Sequence, residues 1–483
     1  MNYRAIRYFL GQILKIEAAF LIPPLLISVF LGEGSSVQGF AITIGITAAV
    51  AFLLPIRTKR DRRIFAREGF VIVALGWILL SFFGALPFYI SREIPSLLDA
   101  WFETVSGFTT TGATILSDVE ALSSGLLYWR SFTHWLGGMG VLVFLLAILP
   151  LASGGSSLHI LRAESPGPDT GKLTPKLRQS VGILYLIYVV LTVLETVLLL
   201  IGGMPIFDAI TTAFGTAGTG GFAIKNSSMA AYNYFCQGVV SVFMLLFGVN
   251  FSIYYLVLVG QFKRLFKNEE LRAYLIIIFG ATLLIAINNF TAFPSFYDAL
   301  HHSFFQVSSI MTTTGFSTVD FNLWPEFSRM LLLILMVIGA CAGSTGGGFK
   351  VARLLVMIKS LRNGMKKLIH PRAVKVMTLD GKRLDSSNIL SVQWFSTAYF
   401  ITIGISLLLV SLDNHSMDTS ISGVFACVNN IGPGLDVIGP IGNYSVFSPL
   451  SKLVLSVDML LGRLELFPLL LLFSPSVWRK HAK

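Results

Sequence analysis

Ten apolar stretches, each long enough to cross a bilayer as a helix, recur along the 483-residue chain at 8–31, 39–55, 70–90, 126–150, 181–202, 235–260, 273–290, 329–358, 391–412 and 450–475. Inside hydrocarbon every backbone polar group must find its partner within the protein, so such a chain folds as helices packed side by side in lipid. Only 13% of the residues are charged, about half the share of a soluble domain. Too little charge remains to coat a globule, which excludes a soluble enzyme, a nucleic-acid-binding module and a disordered scaffold. The expected fold is an all-α integral membrane protein with ten transmembrane helices.

Charge orients the helices. With Met1 inside, only Arg92, Arg130, Lys225, Arg329 and Lys452 fall in outer segments, and Arg463 lies within the last span. The other 30 bases sit at the inner side, among them Arg57 to Arg63 and the run Lys359 to Arg383. This bias places both termini in the cytoplasm and accounts for the net charge of +11 without nucleic acid. Thirteen of the 25 acids lie outside, including Asp99, Asp208, Asp298, Asp418 and Asp436, and give a face that concentrates cations. Cys236, Cys341 and Cys427 lack any CxxC spacing and read as buried thiols. Arg4, Arg7 and Lys15 flank the first apolar run with no small-residue cleavage site after it, so a retained first helix is expected.

Four outer connections repeat one theme, a short half-apolar stretch and then a Gly-rich turn. They begin at Asp99, Asp208, Asp298 and Asp418 and close at Gly112, Gly220, Gly315 and Gly432, spacings of 108, 95 and 117 residues. Repetition on this scale divides the chain into a helix pair (1–69) and four units of span, short helix, turn and span. The units cover 70–150, 151–262, 263–385 and 386–483.

Each starting Asp is expected to cap its short helix at the outer surface. The helix then dips inward and aims its C-terminal carbonyls, roughly half a negative charge, at a common axis. Thr110-Thr111-Gly112, Thr219-Gly220, Thr313-Thr314-Gly315 and Asn430-Ile431-Gly432 follow the helices. Their carbonyl oxygens, turned inward by glycine, replace the water shell of a monovalent cation. Four such turns around one pore make a selectivity filter.

These residues resemble the Trk/Ktr/HKT superfamily of potassium transport proteins, and within it the bacterial TrkH-type membrane subunits. The resemblance covers nearly the whole chain and rests on the segments 106–114, 310–317, Cys341 to Lys350, 429–434 and 461–465. It implies potassium uptake across the bacterial inner membrane, with Gly112, Gly220, Gly315 and Gly432 as filter glycines and potassium held at the filter residues. In that family serine at the first position often accompanies sodium entry, so Gly112 implies potassium. The second and fourth turns depart from the full threonine run. The resemblance also implies a homodimer and a cytosolic nucleotide-binding regulatory subunit of the TrkA type. It implies no cofactor beyond the transported ion.

Two further elements stand out. Gly343-Ser344-Thr345-Gly346-Gly347-Gly348 places four glycines in six residues, each costing a helix about 1 kcal/mol against alanine, so the eighth span should break. A phosphate-loop reading fails because Phe349 stands where that motif needs lysine. Close packing through small residues is the plain alternative. The family implies an intramembrane gate loop beneath the filter. Arg463 lies within the last apolar span, where a charge needs water or a partner. Asp458 and Glu465 are candidate partners, and the family places this arginine in the pore beside the gate. The histidines receive no role, although His301-His302 beside a turn could sense pH.

Two other classes compete with the filter. An alternating-access cation symporter, coupled to protons or sodium, would show repeats related by inversion, whereas here all four short helices fall on one side. An intramembrane enzyme needs a nucleophile–base pair or paired acids at depth, and none is found.

Overall fold

The structure is a computed structural model that describes residues 1–55, 66–140, 177–261, 265, 267–371 and 376–478. The basic run Arg57 to Arg63, the inner end of the fourth expected span and most of the inner connection 151–180 lie outside the described residues. The described chain is built almost wholly of helices, with one two-stranded hairpin, β1 (Thr378–Leu379) against β2 (Lys382–Arg383).

Helix α1 (Tyr3–Phe20) passes through Leu21 into α2 (Ile22–Leu31). Pro23 and Pro24 sit in the first turn of α2, where a missing N–H is tolerated. Ile6, Phe9, Leu10, Ile13 and Leu14 form a buried stripe at helical spacing on α1. It packs against α3 (Gly34–Leu53) and α4 (Ala66–Ile90).

The same succession then occurs four times: an opening helix, a short helix, a turn and a closing helix. The first runs α4, α5 (Leu97–Phe108), α6 (Ser124–Gly138). The second runs α7 (Leu177–Ile201), α8 (Ile206–Gly218), α9 (Tyr234–Gly248), with α10 (Phe251–Leu258) continuing at a bend of 92°. The third runs α11 (Glu269–Asn288), α12 (Phe296–Met311), α13 (Glu326–Ile338), continued by α14 (Val351–Ile369). The fourth runs α15 (Ser386–Val410), α16 (Met417–Val428), α17 (Pro449–Arg463), continued by α18 (Phe467–Leu472) and α19 (Pro475–Trp478).

The short helices are largely buried, the opening helix α4 is mostly buried as well, and the opening helices α7 and α11 lie at the periphery. From Thr211 to Gly218, α8 has only Phe214 less than fully buried. Leu186, Val190, Val193 and Val197 on α7, and Ile276, Phe279, Leu283 and Ile287 on α11, instead form exposed apolar stripes. Large exposed apolar stripes on helices this long fit lipid, and the chain is a multi-pass membrane protein.

Ten spans were expected, the eighth of them broken at its glycines. Among the described residues six helical stretches are long and apolar enough to cross a membrane: Tyr3–Leu31, Gly34–Leu53, Arg67–Ile90, Gly182–Ile201, Glu269–Asn288 and Ser386–Asp413. The bent pair α9–α10 makes a seventh if taken as one span. The expected spans 235–260, 329–358 and 450–475 are each interrupted. Each closing helix ends where a glycine, Gly137, Gly248, Gly339 or Gly462, meets another backbone or side chain at a distance no side chain could occupy. A β-carbon on Gly137 would stand 1.9 Å from the Phe108 carbonyl oxygen, and one on Gly462 2.1 Å from that of Val428. In the first and fourth units the closing helix thus stops where it closely approaches the end of its short helix, whereas Gly339 abuts Gly347 and Gly348 of the Gly-rich loop.

Candidate functional site

The short helices converge because of how their first turns are held. Ser96, Ser295 and Ser416 are the N-caps, each accepting from a backbone N–H in the first turn, and Pro205 occupies that place in α8. Asp99, Asp208, Asp298 and Asp418 fall just inside the helices rather than capping them; in three of the four a serine just before the helix reaches the free N–H groups instead. Three of these acids are bound by the closing helix of the preceding unit. Lys452 meets Asp99 at 2.7 Å, Tyr234 donates to Asp298 at 3.0 Å and Arg329 meets Asp418 at 2.8 Å. Asp208 instead accepts from Tyr232 of its own unit at 2.9 Å.

Each short helix ends in a turn of one shape, a residue at positive φ, an ordinary residue, then a glycine at positive φ. The pairs are Thr110 (55°) and Gly112 (81°), Thr219 (55°) and Gly221 (73°), Thr313 (60°) and Gly315 (91°), Asn430 (56°) and Gly432 (95°). The second turn therefore uses Gly221, one residue beyond the expected Gly220. Contacts between turns give the same register. A β-carbon on Gly112 would stand 2.0 Å from the Gly220 carbonyl oxygen, and one on Gly221 2.0 Å from that of Thr314. One on Gly315 would stand 2.1 Å from the Ile431 oxygen, and one on Gly432 2.7 Å from that of Thr111. Each glycine thus faces the carbonyl preceding the next unit's glycine, and the series closes on itself.

Gly220 occupies the place held by Thr111, Thr314 and Ile431 in the other turns. A side chain there would collide with His134, whose Nδ1 would lie 2.3 Å from the β-carbon. His134 comes from α6, fills that slot and stacks on Phe222 at 4.1 Å. Thr110, Thr111, Thr219, Thr313, Thr314, Asn430 and Ile431 are fully buried. Thr109 and Thr111 share a hydroxyl hydrogen bond of 2.8 Å, as do Thr312 and Thr314, and Asn430 donates to Thr111 at 3.0 Å across units.

The Gly-rich segment lies against the side of this ring formed by Thr312, Thr313 and Asn429. Gly347 N–H donates to Thr313 Oγ1 at 2.6 Å, and a β-carbon on Gly347 would stand 2.3 Å from the Asn429 carbonyl oxygen. Gly346 likewise abuts the Thr312 carbonyl, and its own carbonyl accepts from Lys350 Nζ. Thr345 donates to the Phe247 carbonyl at 3.2 Å, Ser344 to that of Cys341 at 2.6 Å, and the Gly343 carbonyl accepts from Phe251 N–H. Gly339, Gly343 and Gly348 all take positive φ. Glu270 Oε1 accepts from Ala342 N–H at 2.6 Å and Ala352 N–H at 3.1 Å, and so holds both ends of the loop.

Arg463 is the last residue of α17 and donates to the carbonyls of Thr345 (2.8 Å), Gly138 (2.9 Å) and Gly137. It thereby ties the Gly-rich loop to the end of α6. The two acids considered from sequence have other partners, since Asp458 accepts from Ser406 at 2.7 Å and Glu465 from Arg353. Sequence reasoning did not find Gly221, His134, Glu270 or Lys350. Only contacts between distant segments reveal them.

The ring of four turns with a glycine loop beneath it can be set beside known proteins. The TrkH family model, described as cation transport protein, matches residues 35–480. The chain belongs to the TrkH family. The Trk system potassium uptake protein TrkH of Salmonella typhimurium strain LT2 is 36% identical over 490 residues, covering 99% of this chain and all of that one. The Trk system potassium uptake protein TrkG of Escherichia coli K12 is 34% identical over 489 residues, with 99% of each chain covered. The crystal structure of the potassium transporter TrkH from Vibrio parahaemolyticus superposes with a TM-score of 0.88 at 33% identity, covering 99% of this chain and all of that one. Proteins so named are transporters, and a member of this family is not an enzyme.

Proposed function

We propose that this chain takes up potassium across the bacterial inner membrane, through a filter formed by the four turns and gated by the Gly-rich loop. The observation that carries the reading is the closed series of contacts among Gly112, Gly221, Gly315 and Gly432 and the carbonyls of Gly220, Thr314, Ile431 and Thr111. Backbone carbonyls brought together in this way, at the C-terminal ends of four inward-aimed helices, favour a partly dehydrated monovalent cation. The glycine requirement follows too, because a β-carbon would fill the space between neighbouring turns. The relatives carry potassium in their names, which supports that ion as the cargo.

The contacts run from each unit to the next in one sense around the ring, as four like-oriented units do. An alternating-access symporter built on inverted repeats predicts the opposite relation, so the pore is the better reading. On this account the chain comprises the helix pair and four pore units, and both termini are cytoplasmic. The basic inner helix α14, with Lys359, Arg362, Lys366 and Lys367, offers a surface for a nucleotide-binding regulatory subunit of the TrkA type. The membrane subunit pairs as a homodimer.

Purified protein in liposomes, under an imposed potential and with either potassium or sodium outside, tests the function. Potassium should enter in preference to sodium. Equal uptake of the two ions, or none in correctly inserted protein, would contradict the proposal.

A further inference from the structure

Unit 1 carries a buried charged cluster behind its turn that no other unit matches among the described residues. Counting back nine residues from each turn glycine gives Glu103, Thr212, Gln306 and Gly423, so only unit 1 places an acid there. Glu103 is fully buried and its carboxylate meets Arg130 Nε of α6 at 2.6 Å. The same carboxylate accepts from Thr114 Oγ1 at 2.9 Å and from Ile115 N–H at 3.0 Å, just past Gly112. Arg130, also buried, reaches across to unit 2. It donates to the Ala223 carbonyl at 2.8 Å, and its guanidinium lies 3.5 Å from the centre of the Phe222 ring. Phe222 directly follows Gly221, and His134, one helical turn beyond Arg130 on α6, stacks on the same ring.

A buried ion pair is weak evidence for added stability, because desolvation cancels much of the attraction. Its worth lies in fixed geometry: a planar guanidinium with a carboxylate on one side and a carbonyl and ring on the other allows one arrangement. Here that arrangement joins the segments leaving the first and second turn glycines. We propose that Glu103, Arg130 and Phe222 form a clamp that sets the spacing between the turns of units 1 and 2, and that these are specificity-determining positioning residues for the transported ion. The clamp touches no ion and acts through the carbonyls of the two turns it joins. The inference rests on the four-turn filter reading.

The test uses the full chain in liposomes and three variants, with uptake of potassium and sodium measured per inserted molecule. Arg130→Lys keeps the charge but loses the planar fork that reaches Glu103 and Ala223 together. Phe222→Leu keeps an apolar side chain and removes the ring face, so it reports even if Arg130→Lys fails to insert. Gly315→Ser, in the ring but away from the clamp, reports on the filter itself. The clamp predicts that inserted Arg130→Lys lowers the potassium-to-sodium ratio by about tenfold, the scale of losing one charge-assisted hydrogen bond, and that inserted Phe222→Leu, which loses the cation–ring contact, lowers it in the same direction. A merely structural role would reduce the amount of inserted protein and leave the ratio unchanged. An unchanged ratio in the inserted clamp variants with a shifted one in Gly315→Ser overturns the clamp and spares the filter. An unchanged ratio in all of them removes both.

Discussion

Asp436 is exposed, and its carboxylate accepts from Ser416 at 2.5 Å and from Thr419 at 2.8 Å. These hydrogen bonds hold it below the usual aspartate range. A depressed carboxylate contributes stability that is present above its unfolded value near pH 4 and is lost as pH falls through its folded value. Ser416 is also the cap of α16, so acid should loosen the start of that helix. Amides at 417–420 are expected to lose protection at pH 3 relative to pH 6, and Asp436→Asn should abolish the difference. Equal loss in Asp436→Asn would contradict the assignment. At this scale the sequence was legible where a motif repeats and silent where a distant side chain decides. Thr-Thr-Thr-Gly marks the first and third turns plainly. In Thr219-Gly220-Gly221 two glycines are adjacent, and only His134, 86 residues before Gly220, explains why both are needed.

Among the elements, the closing helices carry most of what composition could not show. The break in the third is dense with glycine and readable. The bend between α9 and α10 turns on Asn250 capping Ser252 N–H, and the stop at Arg463 turns on carbonyls of α6 and the Gly-rich loop. Gly248 and Asn250 at the bend, and Gly462 and Arg463 at the stop, are only single marks in otherwise apolar sequence and do not by themselves show an interruption. The tie through Arg463 carries a prediction. Hydrogen bonds from a charged donor are worth roughly 1.5–3 kcal/mol each, and three of them hold the loop to the end of α6. Arg463→Ala should free the loop and remove a fixed positive charge, raising potassium flux per inserted molecule. Lower flux, restored by adding Asp458→Asn, would instead mark an arginine that only balances a buried acid. Deleting Gly343 to Gly347 should raise flux as well while leaving the ion preference largely intact, since the ring lies beyond the loop. Loss of flux in the inserted deletion variant would favour a packing role for the segment.

For the whole molecule, the four units are bound into one body by contacts that pass from each to the next. Lys452, Tyr234 and Arg329 tie three of the short-helix starts to the preceding unit, and the turn glycines tie the ends. The repeat itself was visible in sequence as four Gly-rich turns after short helices. Which residue of each turn faces the axis was not, because that follows from backbone geometry shared by four segments far apart in the chain. The central claim is that Gly112, Gly221, Gly315 and Gly432 are equivalent members of one ion-selecting ring. A side chain at positive φ costs roughly 1–2 kcal/mol, and here it would also displace a facing carbonyl. The most direct measurement is the ratio of potassium to sodium uptake in liposomes for serine at each of these four positions in turn. The account predicts a fall in the ratio at all four, including Gly221. An unchanged ratio at any of them in correctly inserted protein would contradict the equivalence, and an unchanged ratio at every one would contradict the filter.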